Sequence, residues 1–244
     1  VVVPVYRAEH TIDRCVASIL AQRVPGGVSC VLVDDGSPDR SGAMCDAWAA
    51  RDPRVQVVHK ADGGVSSARN AGMEKADAEY IVFLDADDAL RTGALEAALE
   101  AQRERPGDFV LWRYSTDLLD DAPADPETAV YPPSALARLH LDCLIAMPWN
   151  KLYRADWAKR LKFDETYPLG EDLQFVLDYI ALLQQKAPGW QFAVVRAPLT
   201  WYNCDMTGTS LSTRYHSDYC EIWPRHFAKL NAACAALAAP AGDL

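Results

Sequence analysis

No run of apolar residues in this chain approaches the roughly 20 that a helix needs to cross a bilayer. The first residues also lack the charged, apolar and small-residue succession of a secretory signal. The chain opens directly on Val1-Val2-Val3 without Met, so a few residues are expected to precede it. Seven cysteines are scattered with no CxxC pair among them. That odd count and the chain's size speak against a disulfide framework, and the thiols read as reduced core or surface residues of a cytosolic protein. Positive charge is scarce: 24 Lys and Arg stand against 34 Asp and Glu, a formal net charge of -10. A nucleic-acid partner would call for a basic face and is disfavoured. Neither early strand is followed by GxGxxG, which argues against a dinucleotide fold, and no GxxxxGK with Ser or Thr marks a P-loop.

What is present is ordinary globular composition, 50% hydrophobic and 24% charged over 244 residues. That length allows one large domain, or one domain with an added subdomain, around a sizeable core. Strand-like and helix-like segments alternate through the first half. Strands are expected at 1–5, 28–33, 55–58, 80–84 and 108–112, with helices at 8–22, 39–50, 66–76 and from a Thr92 cap to about 105. Such alternation predicts βαβ units and an α/β fold with a mostly parallel sheet between helices. The second half is less regular. Residues 117–133 are rich in Asp and Pro and read as an exposed loop. A helix is expected at 171–185 and a strand at 192–195, and the Ala-rich stretch 231–239 has helical composition. A soft internal boundary is placed near residue 110, dividing 1–110 from 111–244.

Three polar or acidic loops each follow a strand: Pro4-Val5-Tyr6, Asp34-Asp35-Gly36-Ser37 and Asp85-Ala86-Asp87. In a parallel sheet such loops converge on the carboxyl edge, where open α/β sheets bind ligands. Asp85 and Asp87, two apart in extended chain, project to the same side. Like charges so close call for a hard divalent cation, and Mg2+ or Mn2+ held by one or two carboxylates completes its shell with substrate phosphates. Taken singly, the Asp34-Asp35 loop could equally be a turn that caps the next helix. Glu171-Asp172 could likewise be charges favoured by a helix dipole. Arg69 alone could be a surface ion pair, and Trp149 a buried ring with Asn150 satisfying nearby backbone.

Together, Val3-Pro4-Val5-Tyr6, Val33-Asp34-Asp35-Gly36-Ser37, the run Gly63 to Gly72 and Phe83-Leu84-Asp85-Ala86-Asp87-Asp88 resemble the inverting glycosyltransferases of family 2. Four motifs in order at the family's spacing are highly specific, over about the first 110 residues closely and to about residue 215 more loosely. The resemblance implies the GT-A fold, with a Rossmann-like nucleotide-binding half and an acceptor-binding second half. It implies that Pro4 and Tyr6 line the nucleobase and ribose pocket, that Asp35 bonds the base with Asp34 supporting the turn, and that Arg69 neutralises donor phosphate while Asn70 fixes its helix. Asp85 and Ala86 would meet the donor, Asp85 through the ribose or metal-bound water. Asp87 would be the main protein ligand of Mn2+ or Mg2+. Asp62 departs from the Asn many relatives carry there.

In the second half, Gly170-Glu171-Asp172 resembles the family's acidic pair, which implies Asp172 as general base with Glu171 the alternative. Trp149-Asn150-Lys151 resembles a segment lining the acceptor side. The run Tyr202 to Ser212 resembles a late loop that closes over the donor diphosphate, through Thr209, Ser210 and Gly208. His216, just beyond, is either a structural histidine or a metal ligand. The polymerase signature Gln-x-x-Arg-Trp is absent, which disfavours processive synthesis. The implied reaction moves a sugar from a nucleoside diphosphate sugar, of the uridine series, to a glycan or lipid-linked glycan acceptor in bacterial surface polysaccharide synthesis. The implied location is the cytoplasm, peripheral at the inner face of the membrane. Two other readings stand beside it: a sugar nucleotidyltransferase, and a non-catalytic nucleotide- or glycan-binding module on the same fold.

Overall fold

A computed structural model describes residues 1–117, 126–167, 169–204 and 219–238, with the backbone alone at 219–222. Three parallel strands open the chain: β1 (Val2–Val5), β2 (Cys30–Asp34) and β3 (Val55–His59), in the order β1-β2-β3. Helices α1 (Ile12–Leu20), α2 (Ser41–Arg51) and α3 (Gly64–Lys75) connect and follow them. The apolar run at 80–84 lies along the free edge of β1. Leu84 N–H donates to the Val2 carbonyl at 3.0 Å, and Val2 N–H to Val82 at 2.8 Å. Ladder pairing in that run is confined to β4 (Tyr80–Ile81), and a parallel bridge joins Val2 to Phe83.

Beyond β4 the pairing is mixed, antiparallel and parallel, and most of its strands come from the second half. β8 (Tyr153–Arg154) pairs with β4, and the residues just before it bridge to β6 (Phe109–Ser115). The long β9 (Phe192–Trp201) lies parallel to β6 across a register shift after Trp112. β5 (Ala89–Leu90) and β7 (Thr128–Tyr131) pair antiparallel with β9 at its opposite ends. Alternation along each strand sends neighbouring side chains to opposite faces. Val2, Val31, Phe83, Phe109 and Phe192 therefore enter one core with α3 and α7 (Glu171–Lys186), while Val3, Leu32, Leu84, Val110 and Ala193 enter another with α1 and α4 (Ala94–Glu104). A sheet covered on both faces needs apolar residues at successive positions, which is why its strands read as unbroken apolar runs.

Several boundaries differ from expectation. Helix α1 begins at Ile12, because residues 8–11 form a turn closed by Ile12 N–H on the Ala8 carbonyl. Gly93, in the left-handed region at φ +75, stands at the α4 cap in place of Thr92. Part of the expected loop at 117–133 is strand β7, which its pairing with β9 specifies. The expected strand at 192–195 runs on to Trp201, and the Ala-rich segment belongs to α8 (Tyr219–Ala238). Helix α3 lies very close to β1: a methyl group on Gly72 would come within 2.3 Å of the Val2 side chain. That approach carries Arg69, one turn earlier, under the carboxyl edge of the sheet.

Candidate active site

The carboxyl ends of β1 and β2 set the first wall. Pro4 is buried within β1, whereas Tyr6 is 45% exposed just beyond it, with the Arg7 guanidinium 5.3 Å from its ring centroid. Asp35 is buried, and its Oδ1 accepts from Lys60 Nζ at 2.5 Å and from Gly63 N–H at 3.1 Å. Asp34 accepts the Ser37 N–H at 3.1 Å and faces His59 Nδ1 at 2.9 Å. Burial pushes the Asp34 carboxyl up, but bonds from Ser37 and His59 outweigh it and hold it below its ordinary value. His59 Nε2 meets Asp46 at 2.9 Å, and the bonds to Asp46 and then Asp34 raise the imidazole's pKa. Two carboxylates on one ring favour the imidazolium, which donates from both nitrogens.

The second wall is the turn after 80–84. Asp88 N–H donates to the Asp85 carbonyl at 3.0 Å, and α1 braces this backbone through Arg14 Nη2 on the Asp87 carbonyl at 2.9 Å. Ala86 is buried within the turn. Asp88 is buried as well; its Oδ1 accepts the Asn203 N–H at 2.9 Å, and its Oδ2 has no partner among the described residues. Burial first, then the charges of Asp85 and Asp87, push the Asp88 carboxyl well above its ordinary value.

Three carboxylates in four residues form a hard oxygen donor set. Among the described residues, no group of three His, Cys, Asp or Glu side chains is arranged to hold a metal by itself. Mg2+ seldom uses such a cage, since it is commonly bound by one or two carboxylates together with substrate phosphates. The Asp85–Asp87 turn therefore fits a cation that arrives with a phosphorylated ligand.

Arg69 ties this wall to the start of α7. Its side chain is 3% exposed, with Nη2 2.9 Å from Asp85 Oδ1, Nη1 2.5 Å from Asp172 Oδ1 and Nη1 3.5 Å from Glu171 Oε1. Burial works against the guanidinium charge, but Asp172, Asp85 and Glu171 outweigh it, so Arg69 stays charged. Burial pushes the Asp172 carboxyl up to about 8, against the pull of Arg69 and with a further push from Glu171. The resemblance implies direct neutralisation of phosphate by Arg69. The structure instead gives both terminal nitrogens to carboxylates. Asn70 ties α3 to the 163–165 segment: Nδ2 donates to the Phe163 carbonyl at 2.9 Å and to Glu165 at 3.0 Å, and Oδ1 accepts the Phe163 N–H at 2.8 Å.

Residues 1–162 match the model of glycosyl transferase family 2. The chain belongs to that family. EpsJ of Bacillus subtilis, a glycosyltransferase, is 34% identical over 187 residues, which cover 72% of this chain and 54% of EpsJ. The glycosyltransferase GlyG of Streptococcus pneumoniae is 38% identical over 115 residues, covering 47% of this chain and 38% of GlyG. The chain thus spans about half or less of these relatives' length. Among solved structures, TarS 1-349 of S. aureus in complex with UDP-GlcNAc superposes with a TM-score of 0.73 at 22% identity, covering 93% of this chain and 65% of that one. The fold is therefore the expected α/β architecture.

In this family 2 chain the remaining expected residues sit differently. Trp149 is buried, stacked on Tyr202 at 5.4 Å with Tyr114 edge-on at 5.0 Å. Asn150 and Lys151 are 0% exposed. Lys151 Nζ donates to the Leu144 carbonyl at 2.7 Å and to Met147 and Asn150 Oδ1 at 2.5 Å, while Asn150 Nδ2 donates to Trp112 at 3.0 Å. Burial holds the Lys151 pKa well below its ordinary value. The two residues shape the 144–147 loop from inside instead of lining an open surface. Thr209, Ser210, Gly208 and His216 lie outside the described residues. Lys60, His59 and Glu165 were not singled out in the sequence, and Asp88 entered it only as the last residue of the Phe83 to Asp88 motif. Of these only Asp88 carried a signal, its place directly after Asp85-Ala86-Asp87.

Proposed function

We propose that this chain is an inverting glycosyltransferase that moves a sugar from a nucleoside diphosphate sugar, of the uridine series, to an acceptor hydroxyl of a bacterial surface glycan. The observation that carries this reading is the Arg69 junction, which brings the donor-side carboxylate Asp85 and the candidate base Asp172 onto one guanidinium. Family membership supports it, as does the likeness to TarS, whose solved structures hold UDP and UDP-GlcNAc. GgaB of Bacillus subtilis, a minor teichoic acid biosynthesis protein 28% identical over 196 residues, supports a cell-surface glycan as product.

In this reading residues 1–110 bind the donor and 111–244 build the acceptor side. Pro4 and Tyr6 border the nucleobase and ribose. Lys60 and Gly63 hold Asp35 through one oxygen, and the other meets the base. Asp87 and Asp85 would hold Mn2+ or Mg2+, which when bound stabilises charge on the departing diphosphate. Arg69 serves the donor by orienting carboxylates, and it keeps Asp85 and Asp172 from repelling one another. Asp172 accepts the acceptor's hydroxyl proton as that oxygen forms its bond to the anomeric carbon. The diphosphate leaves from the opposite face with the electrons of the broken bond, which inverts the centre. A raised proton affinity suits Asp172 to that task near neutral pH.

We place the enzyme in the cytoplasm, beside the inner face of the membrane. No helix among the described residues is long and apolar enough to cross a membrane. The test is a panel of nucleotide-sugars incubated with the protein and Mn2+, with released nucleoside diphosphate scored against Asp172→Asn and Asp87→Asn. Turnover of one donor, lost in Asp172→Asn and weakened in Asp87→Asn at the same Mn2+ concentration, supports the reading. Donor binding without turnover for any acceptor offered points to a binding module, and no donor binding at all defeats the assignment.

A further inference from the structure

The match to family 2 ends at residue 162, yet the acidic pair lies beyond it, at the first turn of α7, and α8 packs across that helix. Leu230 of α8 enters the same core as Leu173 and Val176 of α7, and Lys229 pairs with Asp178 at 2.8 Å. One turn before Leu230, α8 turns His226 toward Gly170. That imidazole is 4% exposed, and a methyl group on Gly170 would fall 1.7 Å from its Cε1. Only glycine leaves room for the ring, and only glycine adopts φ +86 there without strain. Tyr167 stacks on the ring at 5.8 Å.

Gly170 is the N-cap of α7, and no side chain of that cap bonds the helix's first amides. Those amides form the positive end of the helix dipole. His226 Nε2 is buried against Gly170 with no partner among the described residues. Burial lowers the His226 pKa, with Glu171 pulling the other way, so the ring rests neutral. A neutral ring suits this place, because an imidazolium would be repelled by the positive end of the α7 dipole.

We infer that His226 is a positioning residue for the acidic pair: seated against Gly170 at the start of α7, it fixes where Glu171 and Asp172 stand. The inference rests on Asp172 being the base. It assigns the terminal helix a share in the active site, with His226 acting through α7 and touching no substrate.

The experiment measures kcat and donor KM for wild type, His226→Ala, Gly170→Ala and the double variant. Rates are divided by nucleotide-binding sites counted by calorimetry with UDP and Mn2+, so that loss of folded protein is removed. We expect His226→Ala to lower kcat per site at least tenfold with donor KM within twofold. We expect Gly170→Ala, which drives a methyl into the ring, to do the same. The double variant should recover part of kcat, because the methyl then enters space the ring has left. Simple destabilisation by two separate substitutions would add and give no recovery. Unchanged kcat per site in His226→Ala, or a double variant worse than either single one, overturns the inference while an active wild type leaves the proposed function standing. A wild type that neither binds UDP nor transfers sugar overturns both.

Discussion

Arg69 Nη1 lies 2.5 Å from Asp172 Oδ1, so a residue of the first α/β half is ion-paired with the first turn of a helix that begins about a hundred positions later. The same guanidinium holds Asp85 at 2.9 Å. Removing one partner of a buried ion pair leaves the other charges uncompensated, at a typical cost of about 3–5 kcal/mol. Arg69→Met should therefore lower stability by that order and abolish turnover. Arg69→Lys keeps the charge but cannot reach both carboxylates with a planar fork. We expect it to fold, with kcat down on the order of 100-fold. Chemical denaturation and steady-state rates on the two variants check this; wild-type kcat in Arg69→Lys would count against a shared counter-ion.

The pH dependence follows from Asp172. As the proposed base it must be ionised to accept a proton, and burial pushes its carboxyl up to about 8. We expect kcat/KM to rise with pH and level off above about 8. Glu171 adds to the upward push and Arg69 opposes it, so Glu171→Gln should move the limb to lower pH. The two acids interact, so the measured value belongs to the pair. Stability runs the opposite way. The folded state binds this proton more tightly than the unfolded chain, so the Asp172 contribution is full below 3.8 and is lost as pH rises through about 8. Asp172→Asn should accordingly show a smaller fall in melting temperature between pH 5 and pH 9 than wild type. A kinetic limb below pH 5 would contradict the raised carboxyl.

Metal dependence is a separate matter from the base. Asp87→Asn removes one hard ligand and leaves the Arg69 cluster intact. We expect chelation to stop turnover, Mn2+ or Mg2+ to restore it, and Asp87→Asn to need a higher metal concentration, with the fold unchanged by circular dichroism. Turnover that persists in chelator would show that the Asp85–Asp87 turn serves the donor without a cation.

What could be read from the chain, and what could not, divides along local and distant interactions. The apolar runs at 28–33 and 80–84 announce buried strands because both sheet faces are covered. Asp34, Asp35, Asp85 and Asp87 are placed at one edge by topology alone. β7 was hidden because Thr128–Tyr131 follows a stretch rich in Asp and Pro and gains its order only from pairing with β9. Lys60 pairs with Asp35 across 25 positions, and His226 reaches Gly170 from a terminal helix, so neither has a spacing that could reveal it. Asn150 and Lys151 carry polar side chains in a segment that resembles an acceptor wall, yet bond inward to backbone carbonyls. Only packing decides that direction.

Lys60 separates donor binding from chemistry. Its ammonium and the Gly63 N–H both bond Asp35 Oδ1, which fixes the carboxylate's rotation. Lys60→Met keeps a side chain of similar length and removes the charge. Asp35, 3% exposed, then loses its counter-ion and is no longer held in one rotamer. In the proposed reading Asp35 meets the nucleobase and Asp172 the acceptor, so the loss should appear in ground-state donor binding. We expect donor KM and the UDP dissociation constant to rise together by about tenfold, equivalent to about 1.4 kcal/mol, with kcat within threefold of wild type. Removing an interaction made equally in ground and transition states raises KM and spares kcat. A fall in kcat at unchanged KM would instead place Lys60 in the chemistry and require a different position for the base.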